Sequence, residues 1–193
     1  MALAQATPWR LHATVPRSLA NGPGERFVVW TQGCALACPG CFNPDAHPAT
    51  GGFTRAVHGV ADEVLTTPGI EGVTVTGGEP LRQPEALAAF ADMVGAAGLG
   101  IVVLTGYSRS EIESSPTLAA AVTGVDTVIA GRYDQRLHLG SGLRGSANKE
   151  YWARTGRYST SMFVAVPDAE VLVGPDGTVM VTGMVAVAGR ELG

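Results

Sequence analysis

Short, continuous apolar runs alternate along the chain with longer stretches of helical periodicity. Arg26–Thr31, Val73–Thr76, Ile101–Thr105 and Val125–Ala130 are such runs. Strands without polar alternation suit a parallel sheet that is covered on both faces. Between them, Val57, Val60, Ala61 and Val64 recur at helical spacing, with Thr54 as the expected N-cap of a helix reaching Leu65. Leu87, Phe90, Met93 and Val94 mark a second helix over 84–97, opened by Pro84 and closed by Gly98. Ser110 to Val122 reads as helical with a break near Pro116. Ahead of these, Leu11–Val15 predicts a short strand ended by Pro16, and Asn21-Gly22-Pro23-Gly24 predicts a turn.

Strands alternating with helices predict βα units, and therefore an α/β fold on a parallel sheet. Four units are too few to close an eight-stranded barrel, so an open, partial (β/α) barrel is expected. Residues 137–148 read as a polar, Gly-rich loop. Farther on, Glu170–Val173 and Thr178–Thr182 flank Gly174-Pro175-Asp176-Gly177 and predict a β-hairpin. This divides the chain into a main domain, residues 1–152, and a C-terminal extension, residues 153–193, packing on the sheet edge of the same domain.

Composition narrows the functional classes. Hydrophobic residues make up 46% of the 193 positions and charged ones 16%, enough apolar material for a sizeable core. The net charge of −4, with no lysine or arginine run, argues against an extended nucleic-acid surface. No apolar run approaches the ~20 residues that span a bilayer, so no membrane association is expected. The N-terminal stretch carries Arg10 and Arg17 but no secretory apolar core, which predicts a soluble cytoplasmic protein. The three cysteines are odd in number and too closely spaced to bridge one another, which suits a reducing compartment.

Those cysteines carry the chemistry. Cys34, Cys38 and Cys41 form C-x3-C-x2-C directly after the Arg26–Thr31 run, on a loop containing Gly33, Pro39 and Gly40. Thiolates select zinc or iron–sulfur clusters. On spacing alone, a structural zinc site with His47 as fourth ligand fits as well as a cluster. A [4Fe–4S] cluster normally takes four cysteines, and three would leave one iron open to a ligand. One strand later, Gly77-Gly78-Glu79-Pro80 falls at a C-terminal strand end, where parallel-sheet enzymes bind ligands.

C-x3-C-x2-C after one strand and Gly-Gly-Glu-Pro after the next resemble the radical S-adenosylmethionine enzymes. The resemblance implies a [4Fe–4S] cluster on Cys34, Cys38 and Cys41, whose open iron is chelated by S-adenosylmethionine. It implies one-electron cleavage of the sulfonium to a 5′-deoxyadenosyl radical, with no catalytic side chain beyond cluster and cofactor. Gly77, Gly78, Glu79 and Pro80 are then cofactor-binding, with Gly77, Gly78 and Glu79 around the methionine amino group.

A narrower resemblance spans residues 9–152. Asn21-Gly22-Pro23-Gly24, Gln32-Gly33-Cys34, Cys38-Pro39-Gly40-Cys41-Phe42-Asn43, Thr105-Gly106-Tyr107, Val125-Asp126, Gly131-Arg132-Tyr133 and Leu143-Arg144-Gly145-Ser146-Ala147-Asn148 occur in the order found in activating proteins of anaerobic ribonucleotide reductases. That resemblance implies a glycyl-radical activase for a larger partner enzyme, with reduced flavodoxin or ferredoxin as electron donor. The alternative is a radical enzyme acting directly on a peptide or small-molecule substrate. The resemblance adds Gly40, Thr105, Tyr107, Arg144, Ser146 and Asn148 as cofactor-binding candidates, Gly40 standing where many radical S-adenosylmethionine enzymes have an aromatic residue beside adenine. Ala130 departs from the family pattern, which often has aspartate there. His12, His58 and His138 have no partner at ligand spacing.

Overall fold

The computed structural model describes residues 7–184. Its elements in chain order are β1 (Pro8–Ser18), β2 (Arg26–Thr31), β3 (Phe53–Ala56), α1 (Val57–Thr66), β4 (Gly72–Gly77), α2 (Pro84–Ala96), β5 (Gly100–Leu104), α3 (Arg109–Glu113), α4 (Pro116–Ala121), β6 (Thr127–Ala130), β7 (His138–Ser141), β8 (Arg144–Ser146), β9 (Glu150–Ala153), α5 (Thr160–Val164), β10 (Ala169–Val173) and β11 (Val179–Gly183). A seven-stranded mixed sheet runs β3-β1-β2-β4-β5-β6-β9. The four apolar runs form its parallel centre, β2-β4-β5-β6. β1, β3 and β9 pair antiparallel at its flanks.

Side chains of the central strands alternate between two apolar clusters, as successive residues of a strand must. Phe27, Val29, Val73, Val75, Ile101, Val103 and Val128 join α1 and α2 side chains, including Val60, Val64, Leu87 and Phe90, in the larger cluster. Val102 and Ile129 point the other way, to Leu143, Tyr158, Phe163 and Val166. Both faces are therefore covered, one by helices and the other by the chain after β6, including Tyr158, Phe163 and Val166 from beyond residue 152.

Arg26 is fully buried below the N-terminal strand ends. Its guanidinium donates to Thr74 Oγ1 (2.8 Å), Pro23 O (3.0 Å), Tyr158 Oη (2.9 Å), Val73 O (2.5 Å) and Gly100 O (2.9 Å). None of these acceptors is a carboxylate, and burial pulls the guanidinium pKa down from its ordinary value.

Several local expectations are corrected. Thr54 caps no helix: residues 53–56 pair with 8–11 of β1, and α1 starts at Val57 behind Ala56. Pro16 does not end β1, because the strand shifts register between Val15 and Ser18 and continues to Ser18, an irregularity that tolerates a missing N–H. The stretch 137–148 is not a plain loop but contains the antiparallel pair β7–β8. β10 and β11 pair antiparallel as a separate two-stranded sheet. Glu170 of β10 accepts from Leu19 N (3.0 Å), and Thr182 of β11 accepts from Asn21 Nδ2 (2.9 Å). The hairpin thus meets the turn after β1. Residues 185–193 of the extension lie outside the described residues.

Candidate active site

Because β2, β4, β5 and β6 run parallel, the loops that follow them emerge at one edge of the sheet. The cysteine loop follows β2, Gly78–Gln83 follows β4, Thr105–Ser108 follows β5, and Gly131–Leu137 follows β6. Backbone hydrogen bonds close the cysteine loop at its base: Gly33 N donates to Ala46 O (2.8 Å) and Cys34 N to His47 O (2.9 Å). The buried Gln32 carboxamide crosses the same base, donating to Asp45 O (3.2 Å) and Pro48 O (2.8 Å). His12 Nδ1 meets its oxygen at 2.9 Å. His12 therefore has a structural partner that its sequence position does not suggest.

Cys34, Cys38 and Cys41 are free thiols, each half-buried. Burial pushes the Cys34 and Cys41 thiols up, while backbone N–H groups of Leu36 and Ala37 at Cys34, and of Asn43 at Cys41, favour the thiolates. Ala37 (φ +46°) and Gly40 (φ +69°) put left-handed turns into the loop between the sulfurs. Three thiols on one loop, two of them met by N–H donors, fit the three-cysteine side of an iron–sulfur cluster, where sulfur hydrogen bonds are a recognised feature. Among the described residues, no group of three or more His, Cys, Asp or Glu is gathered closely enough for a single metal ion. In a cluster the cysteines bind different irons, so their sulfurs need not converge on one point.

The loop after β4 is stitched to the cysteine loop. Gly78 N donates to Thr31 O (2.8 Å) and Glu79 N to Gly33 O (2.9 Å). Glycine is required by this approach: a Cβ on Gly77 would lie 2.5 Å from Thr31 N, and one on Gly78 would lie 2.6 Å from Gly33 O. Glu79 turns inward and is 1% exposed. It accepts from Leu81 N (2.9 Å), Thr105 Oγ1 (2.7 Å) and Gly106 N (2.8 Å). Burial raises its carboxyl pKa against the opposing pull of these donors and of Lys149. Both carboxylate oxygens are thus used in tying the β4 and β5 loops together. Pro80 is buried at the start of the 3-10 turn Pro80–Arg82.

Thr105 is buried, and its Oγ1 also accepts from Tyr107 N (3.0 Å). Gly106 abuts the cysteine loop, since a Cβ there would reach 2.2 Å from Leu36 Cδ1. Tyr107 packs on the helical core, with the Arg132 guanidinium 5.8 Å from its ring centre. Arg132 also pairs with Glu111 at 2.6 Å. Ser146, fully buried, accepts from Asp134 N (3.1 Å). Arg144 lies 4.8 Å from the Tyr151 ring centre. These contacts join elements of the fold, whatever the candidates do toward a ligand.

Asn148 is exposed and donates to Arg132 O (2.9 Å). With Pro39, Arg132, Tyr133, Asp134, Gln135 and Arg136 it lines a cavity of about 450 Å³ beside the cysteine loop. Gln135 packs over Gly40, where a Cβ would come 2.9 Å from its carboxamide carbon. Phe42, Tyr133 and His138 form an aromatic wall nearby, with Phe42 5.0 Å from Tyr133 and 5.7 Å from His138. His138 is thereby placed against the cysteine loop, a neighbourhood that ligand spacing does not reveal.

Sequence reasoning missed Lys149. Its ammonium donates to Thr105 O (3.2 Å) and to Gly131 O, at the C-terminal ends of β5 and β6. Burial lowers its pKa, and the charges of Glu79, Cys38 and Cys41 raise it. One signal was available: Lys149 is the only lysine in a chain with twelve arginines.

The three-cysteine loop lies within the part of the chain, residues 20–152, that matches the model of the 4Fe-4S single cluster domain. The chain belongs to that family. Its iron–sulfur centre is a property of the family, and the bare zinc alternative falls away. The anaerobic ribonucleoside-triphosphate reductase-activating protein of Enterobacteria phage T4 is 32% identical over 146 residues, 72% of this chain and 91% of that protein. Its counterpart from Escherichia coli K12 is 29% identical over 148 residues, 72% of this chain and 94% of that one. The pyruvate formate-lyase-activating enzyme of Listeria monocytogenes is 39% identical over 95 residues. This last match covers 47% of this chain, which spans 38% of that enzyme's length. The resemblance to glycyl-radical activases of the radical S-adenosylmethionine type is borne out. Among the described residues, no helix is long and apolar enough to cross a membrane.

Proposed function

We propose that this protein is a radical S-adenosylmethionine activase that removes a hydrogen atom from a glycine of a larger partner enzyme. What carries this reading is the stitched pair of loops: a three-cysteine loop sealed against Gly77-Gly78-Glu79 at the ends of parallel strands. Similarity over 91% of a small reductase-activating protein supports it.

Cys34, Cys38 and Cys41 hold the [4Fe–4S] cluster. When bound, cluster and S-adenosylmethionine together supply one-electron cleavage of the sulfonium and abstraction of a hydrogen atom. The chain's own residues build the frame for that chemistry. Gly77 and Gly78 let two backbones close on the methionyl end of the cofactor. Glu79, Thr105 and Gly106 keep the neighbouring loops in register, and the Phe42-Tyr133-His138 wall shields one side of the cysteine loop. Gln135 and Asn148 line the cavity that suits the adenosyl portion, and Gly40 lies against the Gln135 carboxamide, whereas Tyr107, Arg144 and Ser146 support it through the fold.

The architecture is read as an open, partial (β/α) barrel, with residues 1–152 as its reactive unit and 153–193 as an extension on the same body. Reduced flavodoxin or ferredoxin is the proposed electron donor, in the cytoplasm. A second reading, direct action on a peptide or small molecule, is favoured by one observation: the family match stops at residue 152, short of the β10–β11 hairpin.

Anaerobic reconstitution tests the reading. Reduced, iron-loaded protein is expected to convert S-adenosylmethionine to 5′-deoxyadenosine and methionine. A partner carrying a C-terminal glycyl-radical motif is then expected to show a glycyl-radical doublet by electron paramagnetic resonance. Absence of 5′-deoxyadenosine from iron-loaded, reduced protein overturns the reading. Formation of 5′-deoxyadenosine with no radical on such partners favours direct action on a small substrate.

A further inference from the structure

We propose that Gln83 is a positioning residue for the two cofactor loops, its carboxamide wedged between Arg10 and Gln32 where the cysteine loop leaves β2. What this means for S-adenosylmethionine rests on the functional reading above; the wedge itself does not.

The pairing of β1 with β2 reaches Leu11 and Thr31. One residue beyond it, Gln32 N donates to Arg10 O (3.1 Å), but Arg10 N donates to Gln83 Oε1 (2.8 Å). Gln83 Nε2 donates in turn to Arg10 O (2.8 Å) and to Gln32 O (3.4 Å). One carboxamide thus gives Arg10 both an acceptor and a donor, as a facing strand residue does. These bonds complete a seam. Three consecutive carbonyls, Thr31, Gln32 and Gly33, accept from Gly78 N, Gln83 Nε2 and Glu79 N in that order. The backbone of Gln83 is itself continuous with the loop after β4: Gln83 N donates to Pro80 O (3.1 Å), and Arg82 N to Glu79 O (3.0 Å). Its main chain therefore belongs to one cofactor loop while its side chain holds the start of the other.

The choice of residue points the same way. Gln83 holds the N-cap position of α2, where Ser, Thr, Asp or Asn bond the free N–H groups of the first turn. Its side chain makes no such bond. The carboxamide instead reaches back to a residue 73 positions away, on a strand that flanks the parallel core. Asparagine is the better cap at this position and is one methylene too short for that reach. Helix stability and loop register therefore ask for different side chains here, and the chain carries the one that serves register. Two loops already held in register bind a ligand between them without losing affinity to their own ordering.

The test uses the full chain with two variants. Gln83→Asn gives up the reach to Arg10 and supplies a helix cap. Gln83→Glu keeps the length and the acceptor for Arg10 N but, ionised, has no donor for Arg10 O or Gln32 O. Amide hydrogen exchange in the apo-protein, followed by peptide mass spectrometry, reads the seam without any ligand. Both variants are expected to exchange faster than wild type over residues 77–81. In Gln83→Asn the α2 peptides are expected to exchange no faster than wild type, and the thermal midpoint to stay near it, the gained cap offsetting the lost bonds. Equilibrium dialysis of the anaerobically reconstituted proteins then measures affinity for S-adenosylmethionine per cluster. Loss of one neutral hydrogen bond from the ordered loops corresponds to a weakening of roughly 3- to 10-fold, expected in both variants. Unchanged exchange over 77–81 in Gln83→Asn would overturn the proposal. So would a fallen midpoint with faster exchange spread through α2, which makes Gln83 a helix-start residue only, and so would wild-type affinity in both variants. Wild type failing to bind S-adenosylmethionine would count against the functional reading instead, and the apo-protein exchange would still decide the wedge.

Discussion

The carboxylate of Glu79 accepts the hydroxyl proton of Thr105 at 2.7 Å, joining two loops that lie 26 residues apart in sequence. The same carboxylate takes Gly106 N and Leu81 N, so one inward-facing acid organises the loops after two adjacent parallel strands.

Removing one donor exposes the value of that tie. Thr105→Val keeps the shape but leaves the buried carboxylate one bond short, at a cost of about 1.5–3 kcal/mol for a hydrogen bond to a charged group. Urea unfolding of the apo-protein measures it, with Thr105→Ser expected to retain most of the stability. A valine variant as stable as wild type would contradict the role given to the pair.

Gly78→Ala is expected to destabilise by about 1–3 kcal/mol through overpacking. Its Cβ would sit 2.6 Å from Gly33 O and 2.8 Å from Ala46 O, both backbone atoms that cannot swing away. Iron loading is expected to fall as well, because the base of the cysteine loop shifts. Gly156→Ala is the control, having no heavy atom within 4 Å of the added methyl. Equal thermal midpoints for the two variants would refute the packing account.

Replacing Cys34, Cys38 or Cys41 singly with serine is expected to remove most of the iron and the cluster absorbance. His47→Ala is expected to load iron like wild type, since His47 enters the loop base through its carbonyl oxygen. Iron and sulfide assays after anaerobic reconstitution decide both. Iron loss in the histidine variant would reopen a four-ligand site.

The Glu111 carboxyl is held down to about 2, chiefly by Arg132 and then by the backbone N–H and hydroxyl of Ser108. In the unfolded chain the group returns to its ordinary value of 4.5. The unfolded state therefore binds the proton first as pH falls, and the stabilisation present above pH 4.5 is lost on the way down to pH 2. The side chains of Arg132 and Glu111 are 46% and 40% exposed, so the effect is discounted to below about 1 kcal/mol. Melting curves of wild type and Glu111→Gln are expected to converge as pH falls through that window. Parallel curves would rule the contribution out.

At the other end of the sheet, Tyr158→Phe deletes the only side-chain acceptor for Arg26 other than Thr74 among the described residues. A buried guanidinium left one acceptor short predicts a loss of about 1–3 kcal/mol in urea denaturation. Iron content is expected to stay at the wild-type level, because the change lies below the strand starts. Unaltered stability would show that the segment after residue 152 is not anchored by this contact.

The sheet centre was legible because its strands are uninterrupted apolar runs: β2 is found over Arg26–Thr31, where its hydrophobicity puts it. β3 escaped notice because Phe53, Thr54, Arg55 and Ala56 bury little and are held by backbone pairing to β1 at the sheet margin. The cysteines and Gly77-Gly78 announce themselves by spacing and residue type. Lys149 does not, since its partners are the carbonyls of Thr105 and Gly131, and a backbone oxygen leaves no mark in the sequence. Ser146 and Arg144 likewise have contacts that the sequence does not announce, to Asp134 N and the Tyr151 ring.

The closure of the cysteine loop at Gly33–Ala46 and Cys34–His47 also bears on life in the presence of oxygen. Of residues 34–45 none belongs to the apolar clusters, and the loop base is held by backbone hydrogen bonds and the Gln32 carboxamide. Loss of a cluster from this loop to oxygen is therefore expected to leave the surrounding scaffold folded, so that the loop can be refilled in place.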